Sequence, residues 1–161
     1  MRKAGSTIVS EAGSWRTAAL FVILLLAAGC TRSESALPVA TLTLGTQSIT
    51  AEIAATPASR ERGLMQRPGL PENHGMLFVF PGSSRPCMWM KDTYIPLSVA
   101  FIDLGGRIIN IADMRPQSRE IHCAQGDARY TLEMTAGWYK LNGVSQGVLI
   151  GGLEKVALPP E

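Results

Sequence analysis

Apolar residues follow two spacings along this chain. Residues 17–28 form one unbroken run, Thr17-Ala18-Ala19-Leu20-Phe21-Val22-Ile23-Leu24-Leu25-Leu26-Ala27-Ala28. From residue 39 onward apolar positions alternate with small or polar ones in short stretches, divided by glycine and proline. A period of two puts one face of a strand against a core. Residues 39–44 and 49–54 alternate in this way around Gly45-Thr46-Gln47-Ser48, which predicts a β-hairpin. Thr56-Pro57 then opens a helix, with threonine as cap and proline at the first helical position, where its missing N–H costs nothing. Two or three turns follow to a stop at Pro68-Gly69. Residues 75–80 (Gly-Met-Leu-Phe-Val-Phe) are apolar on both parities, the pattern of a strand buried on both faces.

The clearest hairpin pairs residues 97–102 with 107–112 across Asp103-Leu104-Gly105-Gly106, where two glycines supply the positive φ of a tight turn. Residues 114–126 carry Arg115-Pro116-Gln117-Ser118 and are expected to be irregular. Residues 128–134 alternate again, 136–143 suggest one or two helical turns, and 148–150 with 153–158 suggest closing strands. About seven short strands with one or two short helices predict a mostly β fold, a compact sandwich or barrel.

The first apolar run changes the domain picture. It follows a basic region ending at Arg16 and stops at Gly29-Cys30, too short to span a bilayer and of signal-peptide length. The ending Leu26-Ala27-Ala28-Gly29-Cys30 resembles a bacterial lipoprotein signal, in which the cysteine is lipidated. The expected organisation is a signal peptide over 1–29, a lipidated Cys30 with a tether over 30–38, and one domain over 39–161. The membrane is then a partner through the lipid. The expected location is the periplasmic side of the cell envelope, with Thr31 after Cys30 favouring the outer membrane.

Charge follows the same division. Of 15 bases and 13 acids, three bases and one acid lie in residues 1–29, which leaves twelve of each beyond them. A neutral domain has no electrostatic reason to bind nucleic acid. Beyond Cys30 two cysteines remain, Cys87 and Cys123, and an oxidising compartment favours their pairing. Closing that loop would stabilise the fold by about 4 kcal/mol on the chain-entropy model.

Chemistry is concentrated in Arg85-Pro86-Cys87-Met88-Trp89-Met90-Lys91-Asp92-Thr93-Tyr94-Ile95-Pro96-Leu97. If residues 87–92 are extended, Cys87, Trp89 and Lys91 share one face, and Met88, Met90 and Asp92 the other. Three readings stay open. Trp89, Lys91 and Asp92 would form the aromatic wall and charged rim of a shallow ligand pocket. Met88 and Met90 would bind Cu(I), with Cys87, His122 or Cys123 assisting, because soft sulfur ligands select that ion; against this, methionines in a small domain usually fill core. A Cys87 nucleophile with His74 or His122, oriented by Asp92 or Asp113, would make a hydrolase or transferase. No glycine-framed nucleophile motif surrounds Cys87, and pairing with Cys123 would consume its thiol. No phosphate loop, zinc-protease helix or dinucleotide fingerprint is present, and no resident cofactor is implied.

Several segments share order and spacing with one family. They are Arg62-Gly63-Leu64-Met65, Leu70-Pro71-Glu72, Gly75-Met76-Leu77-Phe78-Val79-Phe80, Trp89-Met90-Lys91-Asp92-Thr93, Ile95-Pro96-Leu97, Ala100-Phe101-Ile102-Asp103 and Gly106-Arg107-Ile108. Arg129-Tyr130, Leu132-Glu133 and Ala136-Gly137-Trp138 continue the series. Over about residues 40–158 the chain resembles the DUF192 family. The resemblance implies a compact, jelly-roll-like β fold, usually behind a signal peptide, and no established reaction. It points to Arg62, Met65, Met76, Trp89, Met90, Lys91 and Asp103 as residues of a shared ligand site. Asp92 stands where the family usually has asparagine. Cys87 and the His122-Cys123 pair are additions of this chain. The expected function is a non-enzymatic, lipid-anchored envelope protein that binds a ligand or partner around Trp89-Met90-Lys91.

Overall fold

A computed structural model describes residues 36–157. The signal run, Cys30 and the first part of the tether lie outside the described residues. Strand β1 (Val39–Leu44) turns through Gly45-Thr46 into β2 (Gln47–Ala54), a tighter turn than the four-residue loop expected. Gly45 adopts a φ of +60°, which lets two residues close the hairpin. Helix α1 (Pro57–Arg62) follows. Thr56 Oγ1 accepts from Ser59 N at 3.1 Å and Ser59 Oγ accepts from Thr56 N at 3.0 Å, a reciprocal cap. The helix ends at Gly63, earlier than Pro68-Gly69, because Gly63 turns to a φ of +49°.

The chain then enters β3 (His74–Ser84), β4 (Cys87–Met88), β5 (Leu97–Ile102), β6 (Ile108–Met114), β7 (His122–Cys123) and β8 (Ala128–Thr135). Helix α2 (Trp138–Leu141), strand β9 (Ile150–Gly151) and a 3₁₀ turn (Leu153–Lys155) complete it. The second closing strand expected over 153–158 is thus a 3₁₀ turn. Gly152, at a φ of +92°, bends the chain out of the sheet first.

Seven strands form one curled sheet, a half-barrel, in the order β6-β5-β8-β3-β2-β1-β9. The fold is mostly β, as the alternation predicted. β2 and β3 pair in parallel, with α1 in the crossover between them. Arg67, beyond α1, ties this crossover back to Glu52 on β2 with two contacts of 2.5 and 2.7 Å.

The sheet is buried on both faces. On β3, Leu77 and Val79 join one core with Leu42, Leu44, Ala100, Ile102 and Leu132; α2 closes it with Trp138 and Tyr139. Met76 and Phe78 point the other way, into a second core with Val99 and Phe101. Leu64, Met88, Met90 and Met114 complete that second core.

Candidate functional site

The segment expected to carry chemistry is a strap over the second core. Only Cys87–Met88 is strand, and it pairs with a strand of two residues inside the stretch expected to be irregular. Cys87 stands opposite Cys123 and Met88 opposite His122. A disulfide joins Cys87 to Cys123. So short a ribbon has few ladder bonds of its own, and the covalent link fixes it. Ala124 N donates to Pro86 O at 3.0 Å, and Asn110 on β6 holds the ribbon from the side, donating through Nδ2 to Cys123 O at 3.3 Å.

Side chains alternate along the strap as the extended reading requires. Cys87, Trp89 and Lys91 face outward, while Met88 and Met90 are buried. Asp92 departs from the expected alternation. It is exposed at a φ of +53°, because the chain turns here, with Thr93 N bonded to Met90 O at 3.2 Å. Two other segments dock on this turn. Gln66 N donates to Asp92 O at 2.8 Å, and Gln117 N donates to Thr93 O at 3.0 Å. Gln66 and Gln117 themselves have φ of +60° and +57°. Three non-glycine residues in the left-handed region thus meet at one turn, each at a cost of about 1 kcal/mol.

The outer surface beside the turn is apolar and cationic. Trp89 is 48% exposed, and continuing the ribbon register by one residue brings it level with Ile121, 64% exposed. Lys91 Nζ sits 5.7 Å from the Trp89 ring centroid. Tyr94 is also exposed.

The residues expected in the ligand site do not all gather here. Trp89, Lys91 and Asp92 do. Met65, partly exposed, precedes Gln66 in the segment that docks on the turn, and exposed Arg62 ends α1 just before it. Met76 and Met90 are fully buried in the second core, away from the outer surface that carries Trp89 and Lys91. Asp103 shapes the β5–β6 turn, where its Oδ1 accepts from Arg107 N at 2.8 Å, so its role is the local one of a turn aspartate.

The expected metal ligands are also divided. The disulfide takes the thiolates of Cys87 and Cys123, which removes both soft anionic donors and the nucleophile of the catalytic reading. Met88 Sδ accepts from Thr131 Oγ1 at 3.7 Å, and Met90 packs in the core. His122 Nε2 is buried with no hydrogen-bond partner among the described residues, on the ribbon face it shares with Met88. No group of three His, Cys, Asp or Glu residues placed to hold a metal occurs among the described residues. His74 Nδ1 lies 2.9 Å from Glu72 O, and Asp113 accepts from Ser98 Oγ, so neither joins Cys87 in a catalytic set.

The sequence offered Glu133 only within the family segment Leu132-Glu133, with no expected role in the site. Glu133 is 3% exposed, directly between Met76 on β3 and Val99 on β5. It shares the second core face with Thr131, and burial raises its pKa to about 8. The carboxyl is therefore neutral across most of the physiological range. Tyr139, on the opposite face, is pushed well up by burial first and by Glu133 second. Its signals in the sequence were that family segment and its place between Leu132 and Met134 in a central strand.

A family model described as DUF192, uncharacterized ACR, matches residues 40–151. Among solved structures, a Sinorhizobium meliloti protein proposed in its description as a transcription regulator is 37% identical, with a TM-score of 0.72; the match covers 74% of this chain and 97% of that one. A protein of unknown function from Novosphingobium aromaticivorans is 30% identical, with a TM-score of 0.69, over 73% of this chain and 88% of that one. No curated protein matches this chain.

Proposed function

The chain belongs to the DUF192 family, and we propose that it acts as a lipid-anchored, non-catalytic module of the cell envelope that binds a protein partner through the outer face of the disulfide-clamped ribbon. One observation carries this reading. Three left-handed residues, Gln66, Asp92 and Gln117, converge on the turn that presents Trp89 and Lys91. Strain held by a surrounding structure clusters at functional sites. The surface it presents has the composition of a binding centre, an accessible indole with an aliphatic neighbour and a cation. Anchoring rests on the Leu26-Ala27-Ala28-Gly29-Cys30 signal.

Two experiments test the two halves. Cys30→Ser is expected to release the protein into the soluble fraction; persistence on the membrane, unprocessed, would end the anchoring half. Chemical crosslinking of the full chain in its native envelope is expected to yield one adduct of defined mass, lost in Trp89→Ala/Ile121→Ser. An adduct that survives the double substitution would place the contact elsewhere.

A second reading is Cu(I) binding by Met88 and Met90 with His122. The observation that favours it is the buried, unpartnered His122 Nε2 beside Met88. Anaerobic Cu(I) titration decides it: binding no tighter in the full chain than in Met88→Leu/Met90→Leu removes copper from consideration.

A further inference from the structure

A cleft of about 550 Å³, within the range of small-molecule sites, opens where β3 begins and β8 ends, away from the residues of the strap. Its lining combines neutral polar groups with apolar ones and a single carboxylate. Gln47, Asn73, Asn142 and Thr135 bring neutral hydrogen-bonding groups, Glu72 brings the one carboxylate, and no lysine or arginine lines it. Trp138, 8% exposed, presents a narrow apolar edge beside Leu70 and Leu141; Leu141 is 86% exposed although it is a large aliphatic side chain.

The structure holds this lining in place. Trp138 Nε1 donates to Asn73 Oδ1 at 2.9 Å, which fixes the indole and orients the amide. Asn73 itself sits at a φ of +54°, a backbone conformation that aims the loop toward α2. Asn142 Nδ2 donates to Trp138 O at 2.9 Å, which leaves its Oδ1 to accept from a ligand. An apolar wall edged with amides and a hydroxyl suits a ring with C–H groups on its faces and hydroxyls around its rim. The Glu72 carboxylate and the lack of a lysine or arginine among the lining residues select against anionic ligands.

We infer that the cleft between Asn73, Trp138 and Asn142 is a binding site for a neutral saccharide. This goes beyond the ribbon's proposed role and shares no residue with it, so either can fail alone.

The test uses the full chain in detergent, with cellobiose and N,N′-diacetylchitobiose as neutral probes and digalacturonate as the anionic control. Saturation-transfer NMR reports contact with the sugar. Trp138 fluorescence, read in a Trp15→Phe/Trp89→Phe background that leaves it the one tryptophan of the three, reports occupancy of the cleft. The expected result is saturable binding of at least one neutral disaccharide below about 10 mM. Asn142→Ala and Gln47→Ala are expected to weaken it at least about tenfold when combined, with the fold retained and only a small drop in melting temperature from the lost Asn142–Trp138 bond. Trp89→Ala should leave it intact. Absence of saturable binding for both neutral probes overturns the assignment. So does tighter binding of digalacturonate, or binding that the two cleft substitutions leave unchanged.

Discussion

The two faces of the sheet are built from the same strands and closed in different ways. One face is covered by α2, which follows β8 directly in the chain, and by the 3₁₀ turn after β9. Its core is aliphatic and aromatic, and its buried hydroxyl is satisfied, with Tyr139 Oη donating to Leu132 O at 2.7 Å. The other face is covered by the strap, a segment that has only two residues of strand and relies on a disulfide. That face holds Met76, Met88, Met90 and Met114, the neutral carboxyl of Glu133 and the unpartnered ring nitrogen of His122. The local lid makes a quiet core. The long-range lid leaves polar groups under strain and carries Trp89 and Lys91 on its outer side. The candidate binding chemistry therefore lies with the second face, on the outer side of its lid.

The largest expected effect separates the faces by pH. Glu133 has a folded pKa of about 8 against an ordinary value of 4.5. Between those values the folded state holds a proton that the unfolded state has lost, so stability falls as pH rises through this window. The slope approaches a tenfold loss in folding constant per pH unit. Glu133→Gln should flatten the slope and exceed wild-type stability above about pH 8, read as melting temperature against pH. An unchanged slope in the variant would mean that the carboxyl does not set it.

Next in size is the lid's covalent clamp. Cys87→Ala/Cys123→Ala should lower stability by about 4 kcal/mol in denaturant melts, with the strap becoming the first site of proteolysis. On the first face, Tyr139→Phe should cost about 1 kcal/mol through the lost bond to Leu132 O, with the pH slope below 8 preserved. Glu52→Gln should cost about 1 kcal/mol at neutral pH, since the Glu52–Arg67 pair is partly exposed. The hydrogen bond from Arg67 lowers the Glu52 pKa, so its contribution is present above pH 4.5 and lost as pH falls through the lowered value. Wild type and variant should therefore converge in acid. The smallest stability effect belongs to Trp89→Ala, within about 0.5 kcal/mol, because the side chain stands on the outside of the lid.

What the sequence made legible was local. The β5–β6 hairpin follows from Gly105-Gly106 and the alternation on either side. The start of α1 follows from Thr56-Pro57, and the inward turn of Met88 and Met90 from the period of two. Pairings between distant segments left little local signal, and of them only the expected Cys87–Cys123 bond was legible. The parallel β2–β3 pair and the β4–β7 ribbon depend on contacts across many residues, and each strand of the ribbon is too short to show a period. Glu133 was hidden by its own pattern. Arg129, Thr131 and Glu133 alternate with Tyr130, Leu132 and Met134, which reads as a strand with one wet face. The strap covers that face, and burial turns an ordinary surface glutamate into a neutral core residue. The grouping of Met76, Met90 and Asp103 with Trp89 failed for a related reason: nearness to a shared motif says nothing about which side of a lid a residue faces.

The central claim is that the outer face of the strap binds while its inner face folds. A photo-crosslinking amino acid placed in turn at Trp89, at Ile121 and at exposed Thr43 on β1 tests this most directly in the native envelope. Positions 89 and 121 are expected to give the same protein adduct, position 43 none, and Lys91→Glu should suppress it. Equal labelling from all three positions, or none from 89 and 121, would contradict the account.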